Sequence, residues 1–285
     1  MSGTHTESKP QFRIISQNDK RVFNDRAAVV TGAAGGMGTS FAKQLAAQGY
    51  DLVLVDRRAE PLRALCKLLE SEHRCRTEAI VADLSNLDQV HRVCQRIADH
   101  TDIEVLVNNA GFGHERSFCE IPLDQHLEML SVHVLATNCL VRSILPQMIT
   151  RNHGSIVNVG SVGAWLPAAK NVQYAATKNY LIAFSESLSE ELRDTDVHVQ
   201  ALCPAFVRTG YHSTAGMALN NRGEVPTWFW QDPDEVVACS LKNLRVGPVI
   251  LVPGWKARIF SRLLRALALQ PIVRPVSRIL MRKYM

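Results

Sequence analysis

From Arg26 onward short apolar runs alternate with amphipathic stretches, and this alternation limits the available folds more than any other feature of the chain. The runs AAVV, DLVLV, TEAIV, IEVLV, SIVNV, VHVQAL and PVILV are each too short for a helix and are largely apolar. Such runs are strands covered on both faces, and helical patterns separate each from the next. The fold class predicted is α/β, a doubly wound parallel sheet of about seven strands with helices on both faces. Helices are expected to end at Gly49 and to span Glu60–Glu70, Leu87–Ala98 and Leu123–Thr150, with Pro146 bending or breaking the last. Two more run from Tyr174 to about Leu192 and over Asp234–Asn243. No linker or repeat divides residues 26–254, so they form one domain. Residues 1–25 make a loose arm that Phe12, Ile14 and Ile15 tack down in part, and residues 255–285 form a tail.

Composition narrows the setting. The seven cysteines show no CxxC pairing, which argues against a disulfide framework or a zinc knuckle. The first residues are polar and lack the apolar centre of a leader, so a cytoplasmic location is expected. Net charge is +5, but eight of the Lys and Arg lie from Lys256 on with no acid among them; without these eight the body carries −3. The basic balance therefore belongs to the tail and gives no reason to expect a nucleic-acid partner. In the tail Ile259, Phe260, Leu263, Leu264 and Leu267 form an apolar stripe beside Arg258, Arg262 and Arg265. A stripe of this kind packs on its own domain or a second subunit, or lies peripherally on an anionic membrane surface.

Residues 31–38, TGAAGGMG, lie between a strand and a helix. Gly32, Gly36 and Gly38, with Met37 among them, allow the backbone to turn sharply and approach a pyrophosphate at the helix N-terminus. Asp56 follows Gly38 by eighteen residues, at the end of the second strand. A carboxylate there accepts bonds from the adenosine ribose and repels a 2′-phosphate, which favours NAD. Arg57 and Arg58 beside it suit a phosphate, so NADP stays open as the alternative. Asp83 is placed either to meet the adenine or to cap the helix that follows.

Ser161, Tyr174 and Lys178 suggest the chemistry. Tyr174 and Lys178 are spaced i, i+4, so on a helix they share one face. A phenol ionises near pH 10, and a neighbouring ammonium favours the phenolate and draws that pKa down. Ser161, thirteen positions before the tyrosine, follows an apolar run and is available to hydrogen-bond the oxygen that the tyrosine protonates. The trio suits proton transfer at a C–OH/C=O centre.

Taken together, TGAAGGMG, Asp83-Leu84, the NNAG of residues 108–111, Ser161, Tyr174/Lys178 and CPAFVRT at 203–209 resemble the short-chain dehydrogenase/reductase family over about residues 26–254. The resemblance implies a Rossmann-type NAD(P)-dependent oxidoreductase of alcohols or carbonyls. It makes Tyr174 the general acid/base, has Lys178 hold the nicotinamide ribose and lower the tyrosine pKa, and gives Ser161 the substrate oxygen. Asn109, Ala110 and Gly111 would pass beside the cofactor, and Pro204, Val207 and Thr209 would hold its nicotinamide end. The chain departs from the family at two places. His133 stands where an asparagine usually anchors a relay water, thirteen residues before Pro146, and Ala205 replaces a glycine. His133 is expected either to support a modified relay or to fill space. Substrate contacts are expected from 112–118, 162–172 and 206–230, rich in large apolar groups, with Ser161, Trp165, Phe206 and Tyr211 as the named candidates. A hydrophobic secondary alcohol or ketone is the expected substrate, and a homodimer or homotetramer the expected assembly. The rival readings are a dinucleotide-binding sensor or scaffold with little turnover, and an isomerase or dehydratase with retained NAD.

Overall fold

The computed structural model describes residues 11–15, 26–166, 169–209 and 230–265. Within these the apolar runs form an eight-stranded sheet in the order β1-β4-β3-β2-β5-β6-β7-β10. Its strands are β1 (Arg13–Ile15), β2 (Ala27–Thr31), β3 (Asp51–Asp56), β4 (Thr77–Val81), β5 (Ile103–Asn108), β6 (Gly154–Val159), β7 (Val197–Leu202) and β10 (Ile250–Leu251). Seven of them are parallel, as the alternation predicts. The eighth comes from the N-terminal arm: β1 pairs antiparallel with β4, Arg13 opposite Val81. A short parallel pair, β8 (Phe206–Val207) with β9 (Trp230–Gln231), stands apart from the sheet.

The helices divide between the two faces. On one, α1 (Gly36–Ala47), α2 (Ala59–His73) and α7 (Pro233–Lys242) bury Phe41, Leu45, Leu62, Leu69 and Val237 against the strands. On the other, α3 (Leu87–Ala98), α5 (Ala136–Thr150) and α6 (Val172–Glu191) bury Val90, Val93, Leu140, Ile144 and Leu188. Each such side chain contributes on the order of 1.5–3 kcal/mol. Strand order reverses between β2 and β5, and the carboxyl ends of strands flanking such a reversal open onto a crevice that suits a ligand.

The helix expected over 123–150 is continuous but irregular in a different place. It comprises α4 (Leu123–Leu130), one π turn (Ser131–Leu135) and α5, which runs through Pro146 to Thr150. Pro146 does not end the helix; the distortion sits a helix-length earlier, around His133. By length and hydropathy this stretch would pass for a membrane span. Instead Ala136, Leu140, Val141, Ile144 and Met148 are packed in the second core.

The tail begins as α8 (Trp255–Arg265), and the expected stripe is split. Ala257, Ser261 and Leu264 face the domain, while Ile259 and Leu263 are about half exposed. Arg265 reaches across Trp165, 5.3 Å from its ring, and lies 3.8 Å from Glu186. Leu267 and the rest of the tail lie outside the described residues.

Candidate active site

The ends of β2 and β5 are tied together before any ligand is considered. Thr31 Oγ1 accepts the backbone N–H of Asn109 at 3.0 Å and of Ala110 at 3.1 Å, and donates to the Val107 carbonyl. The Asn109 amide donates to the carbonyls of Thr31 and Gly32. The NNAG segment thereby holds the glycine turn in place. A side chain at Gly38 would put its Cβ 2.1 Å from the Gly32 carbonyl oxygen, and one at Gly36 would strike Thr209 at 2.4 Å. The turn is thus closed from below by the chain and from one side by the 203–209 segment.

The first turn of α1 has no capping side chain and no acidic residue. Its backbone N–H groups are the kind of donors that receive an anion, and the residues present fit a dinucleotide pyrophosphate. Asp56 at the end of β3 is already engaged. Arg58 forks onto its two oxygens at 3.0 and 3.1 Å, and the N–H groups of Ala34 and Arg58 donate to the same carboxylate. The carboxylate expected to meet a ribose therefore shares its charge with a half-exposed guanidinium lying beside Gly35. No contact of Arg57 or Met37 singles either out beyond its place on the turn. Asp83 shapes a turn: its Oδ1 accepts the N–H and O–H of Ser85, while Asn86 caps α3 by accepting the Gln89 N–H. Of the two roles open to Asp83, the cap is supplied by Asn86, three residues later, and Leu84 is buried in the core.

The proton-transfer candidates converge at the C-terminal ends of β5 and β6. Lys178 is 4% exposed and its Nζ donates to the Val159 carbonyl at 2.7 Å, so the middle of α6 is pinned to the last residue of β6. Burial pushes its pKa down to about 8. Nζ lies 5.7 Å from the centre of the Tyr174 ring. Ser161 follows β6, and its Oγ accepts the Gly163 N–H at 3.1 Å; its own O–H has no partner among the described residues. The 162 N–H bonds the Pro204 carbonyl, which brings the 203–209 segment alongside. Ala205 fits where a glycine is usual, with its N–H given to Gln231, and Val207 is buried.

His133 decides the relay question. Its Nε2 accepts the Phe112 N–H at 3.0 Å, so the ring hydrogen is on Nδ1 and is donated to Thr177 Oγ1 at 2.8 Å. Thr177 passes its own hydrogen to the Tyr174 carbonyl at 2.9 Å. Burial, and next the Lys178 ammonium, hold this histidine well below its usual pKa, neutral. Both ring nitrogens are bonded to the protein, so the His133 ring is a strut joining the β5 loop to the tyrosine helix. A side chain at Gly111 would come within 2.9 Å of His133 Nε2 and 3.5 Å of Lys178 Nζ, which shows how closely the three elements meet. Thr177, three residues after Tyr174, escapes sequence reasoning because nothing in one chain marks it as the partner of residue 133.

Of the substrate candidates, Trp165 packs against the small core that includes Val162, Ile182, Val252 and Ala257, and Phe206 lies 5.6 Å from the Trp230 ring. Tyr211 lies outside the described residues, as do Met217, Trp228 and Phe229.

The short chain dehydrogenase profile matches residues 26–218. The chain belongs to that family. Among relatives, "Inactive hydroxysteroid dehydrogenase-like protein 1" of Homo sapiens is 31% identical over 186 residues, 65% of this chain and 56% of that protein. "Very-long-chain 3-oxoacyl-CoA reductase" of Rattus norvegicus is 34% identical over 186 residues, 64% of this chain and 59% of its own length. The chain thus spans little more than half the length of these two relatives. Among solved structures, a short-chain dehydrogenase from Sphingobium yanoikuyae in complex with NADPH superposes with a TM-score of 0.76 at 27% identity, covering 91% of this chain and 96% of that one. The family, the Rossmann-type fold and a nicotinamide cofactor follow.

The strut has a thermodynamic signature. A histidine kept neutral by folding but free to protonate when unfolded adds stability above pH 6.5 that is lost as pH falls below it. The unfolding free energy of the wild type relative to His133→Asn is expected to shrink by roughly 1.4 kcal/mol between pH 7.5 and 5.5. Denaturant titrations at the two values check it; a pH-independent difference contradicts the neutral strut.

Proposed function

We propose that this chain is an NAD(P)-dependent oxidoreductase acting between a secondary alcohol and a ketone on a hydrophobic substrate. The observation that carries the reading is the convergence of Ser161, Tyr174 and buried Lys178 at the strand ends beside the glycine turn. Bound nicotinamide supplies the hydride acceptor or donor. Tyr174 exchanges the proton at the substrate oxygen. Ser161, with its O–H uncommitted, donates to the same oxygen and fixes its position. Lys178 has N–H groups left after its bond to Val159, which suit ribose hydroxyls, and its charge favours the phenolate. The named relatives, one a 3-oxoacyl-CoA reductase, support a substrate with a long apolar part.

Phenylalanine in place of Tyr174 should leave cofactor affinity nearly intact and lower turnover by on the order of 10²–10⁴. A panel of apolar ketones assayed with NADH and NADPH in parallel, with binding followed by nicotinamide fluorescence, tests this. Turnover retained in Tyr174→Phe would refute the assignment. Binding without turnover in the wild type would instead favour the sensor or scaffold reading, to which the relatives named inactive lend weight.

For cofactor choice we retain NAD as a substrate and expect NADP to be accepted as well, because the Arg58 fork offsets the Asp56 charge that would repel a 2′-phosphate. Arg58→Ala uncovers that charge. Its NADPH dissociation constant is expected to rise at least tenfold more than its NADH constant, and equal changes would show that the fork has no part in selection.

Exposed Leu123, Leu127, Leu130 and Leu135 along α4–α5 support a homodimer or homotetramer, read by sedimentation velocity; a monomer at all concentrations would reject it. The Trp255, Ile259 and Leu263 ridge of α8 among basic residues supports a peripheral membrane contact of an otherwise cytoplasmic protein. Co-sedimentation with anionic liposomes reads that, and no binding would reject it.

A further inference from the structure

Buried side-chain polar atoms without a partner are few in native proteins, and each calls for an explanation. Among the described residues there are four, and the residues that carry three of them, His114 (Nε2), His126 (Nδ1) and Asn171 (Oδ1), line one cavity. They come from separate elements, the loop after β5, helix α4 and the turn before α6, and Tyr174 lines the same cavity. Asn171 is the most informative. It occupies the N-cap position of α6, where an asparagine ordinarily accepts a backbone N–H of the first turn, and it makes no such bond. Its Oδ1 is buried and unpaired instead. His126 is 6% exposed, and its Nε2 lies 3.0 Å from the Phe118 carbonyl. Nε2 therefore carries a hydrogen, and the neutral ring presents a lone pair at Nδ1. Burial, and next Arg116, hold His114 below its usual pKa, so its ring is neutral and Nε2 serves as donor or acceptor by tautomer.

Two acceptors and one nitrogen of either role define what fits between them. A hydroxyl donates to one and accepts from another. A carboxylate or phosphate brings acceptors only and would set lone pair against lone pair at Asn171 and His126, although Arg116 and Lys170 also border the cavity. An alkyl group leaves all three unpaired. A site built to bond a substrate hydroxyl discriminates strongly against the analogue without it.

We propose that this cavity receives a second oxygen of the substrate, a hydroxyl on the same molecule as the carbonyl served by Tyr174, so that the preferred substrates are hydroxy-ketones and the corresponding diols. The inference rests on the reading of Tyr174 as the acid/base and deepens it. In the reductive direction the ketone gains a hydride from the reduced nicotinamide and a proton from Tyr174 to give the carbinol. The second hydroxyl is bound and unchanged. The site thus has a polar anchor that the apolar composition of the neighbouring segments conceals.

Cyclohexanone and its 2-, 3- and 4-hydroxy derivatives, reduced by the full chain, supply the test. At least one hydroxy-ketone is expected to exceed cyclohexanone tenfold or more in kcat/KM, and the ratio is expected to fall to about one in Asn171→Leu. Ratios within threefold of unity in the wild type, or a gain that persists in Asn171→Leu, overturn the proposal while leaving the oxidoreductase reading intact. Failure to reduce any ketone counts against that reading, and thermal unfolding then judges the cavity alone. An asparagine held in reserve for a ligand is a stability cost, so Asn171→Leu is expected to raise Tm by about 2 °C. A fall in Tm would show that the amide serves the fold through an internal water, and would overturn the proposal by itself.

Discussion

The bond from Lys178 Nζ to the Val159 carbonyl organises the centre of this molecule. An ammonium enclosed by protein and donating to one neutral carbonyl opposes folding, and a pKa pushed down to about 8 expresses that opposition. Against the ordinary value near 10.4, it amounts to on the order of 3 kcal/mol, a sizeable part of a domain's net stability. Because the folded pKa lies below the unfolded one, the penalty is full below pH 8 and fades as pH rises toward 10.4. The two apolar cores on either face of the sheet supply stability enough to tolerate it. What the fold obtains is a cation fixed on the helix that carries Tyr174, at the mouth of the crevice.

His133 completes the arrangement from the other side. The π turn over Ser131–Leu135 sits at His133, and π turns frequently mark functional sites. Its two ring nitrogens grip the β5 loop and Thr177 on α6, so three elements that meet only through tertiary structure are fixed relative to one another. At the position of the family's asparagine, the imidazole joins Phe112 to Thr177. A chain with that strut still has Ser161, Tyr174 and Lys178 in place.

Much of this was legible from the sequence because it rests on local pattern. The seven parallel strands followed from apolar runs of four to six residues, and α3 from a strong helical period between Asn86 and Ala98. The glycine turn was readable because close approach excludes every side chain at Gly38. The rest depended on partners distant in the chain. Nothing around Asp56 alone reveals whether Arg57 or Arg58 turns onto it, and only the fold shows that Arg58 does. Pro146 looked like a helix breaker, yet α5 continues through it and the irregularity falls at His133. Asn171 sits where a cap is expected, and the sequence gives no sign that its side chain is left for the cavity.

The proposed chemistry pairs a proton from Tyr174 at the substrate oxygen with hydride exchange between nicotinamide and the adjoining carbon. Label transfer reads this directly: the protein is given reduced nicotinamide deuterated at C4 together with a ketone that it reduces, and the product is analysed by mass spectrometry. The account predicts one deuterium on the carbinol carbon from one face of the nicotinamide ring. A tightly held dinucleotide whose label never reaches the product would contradict it and leave a nucleotide-binding protein without this chemistry.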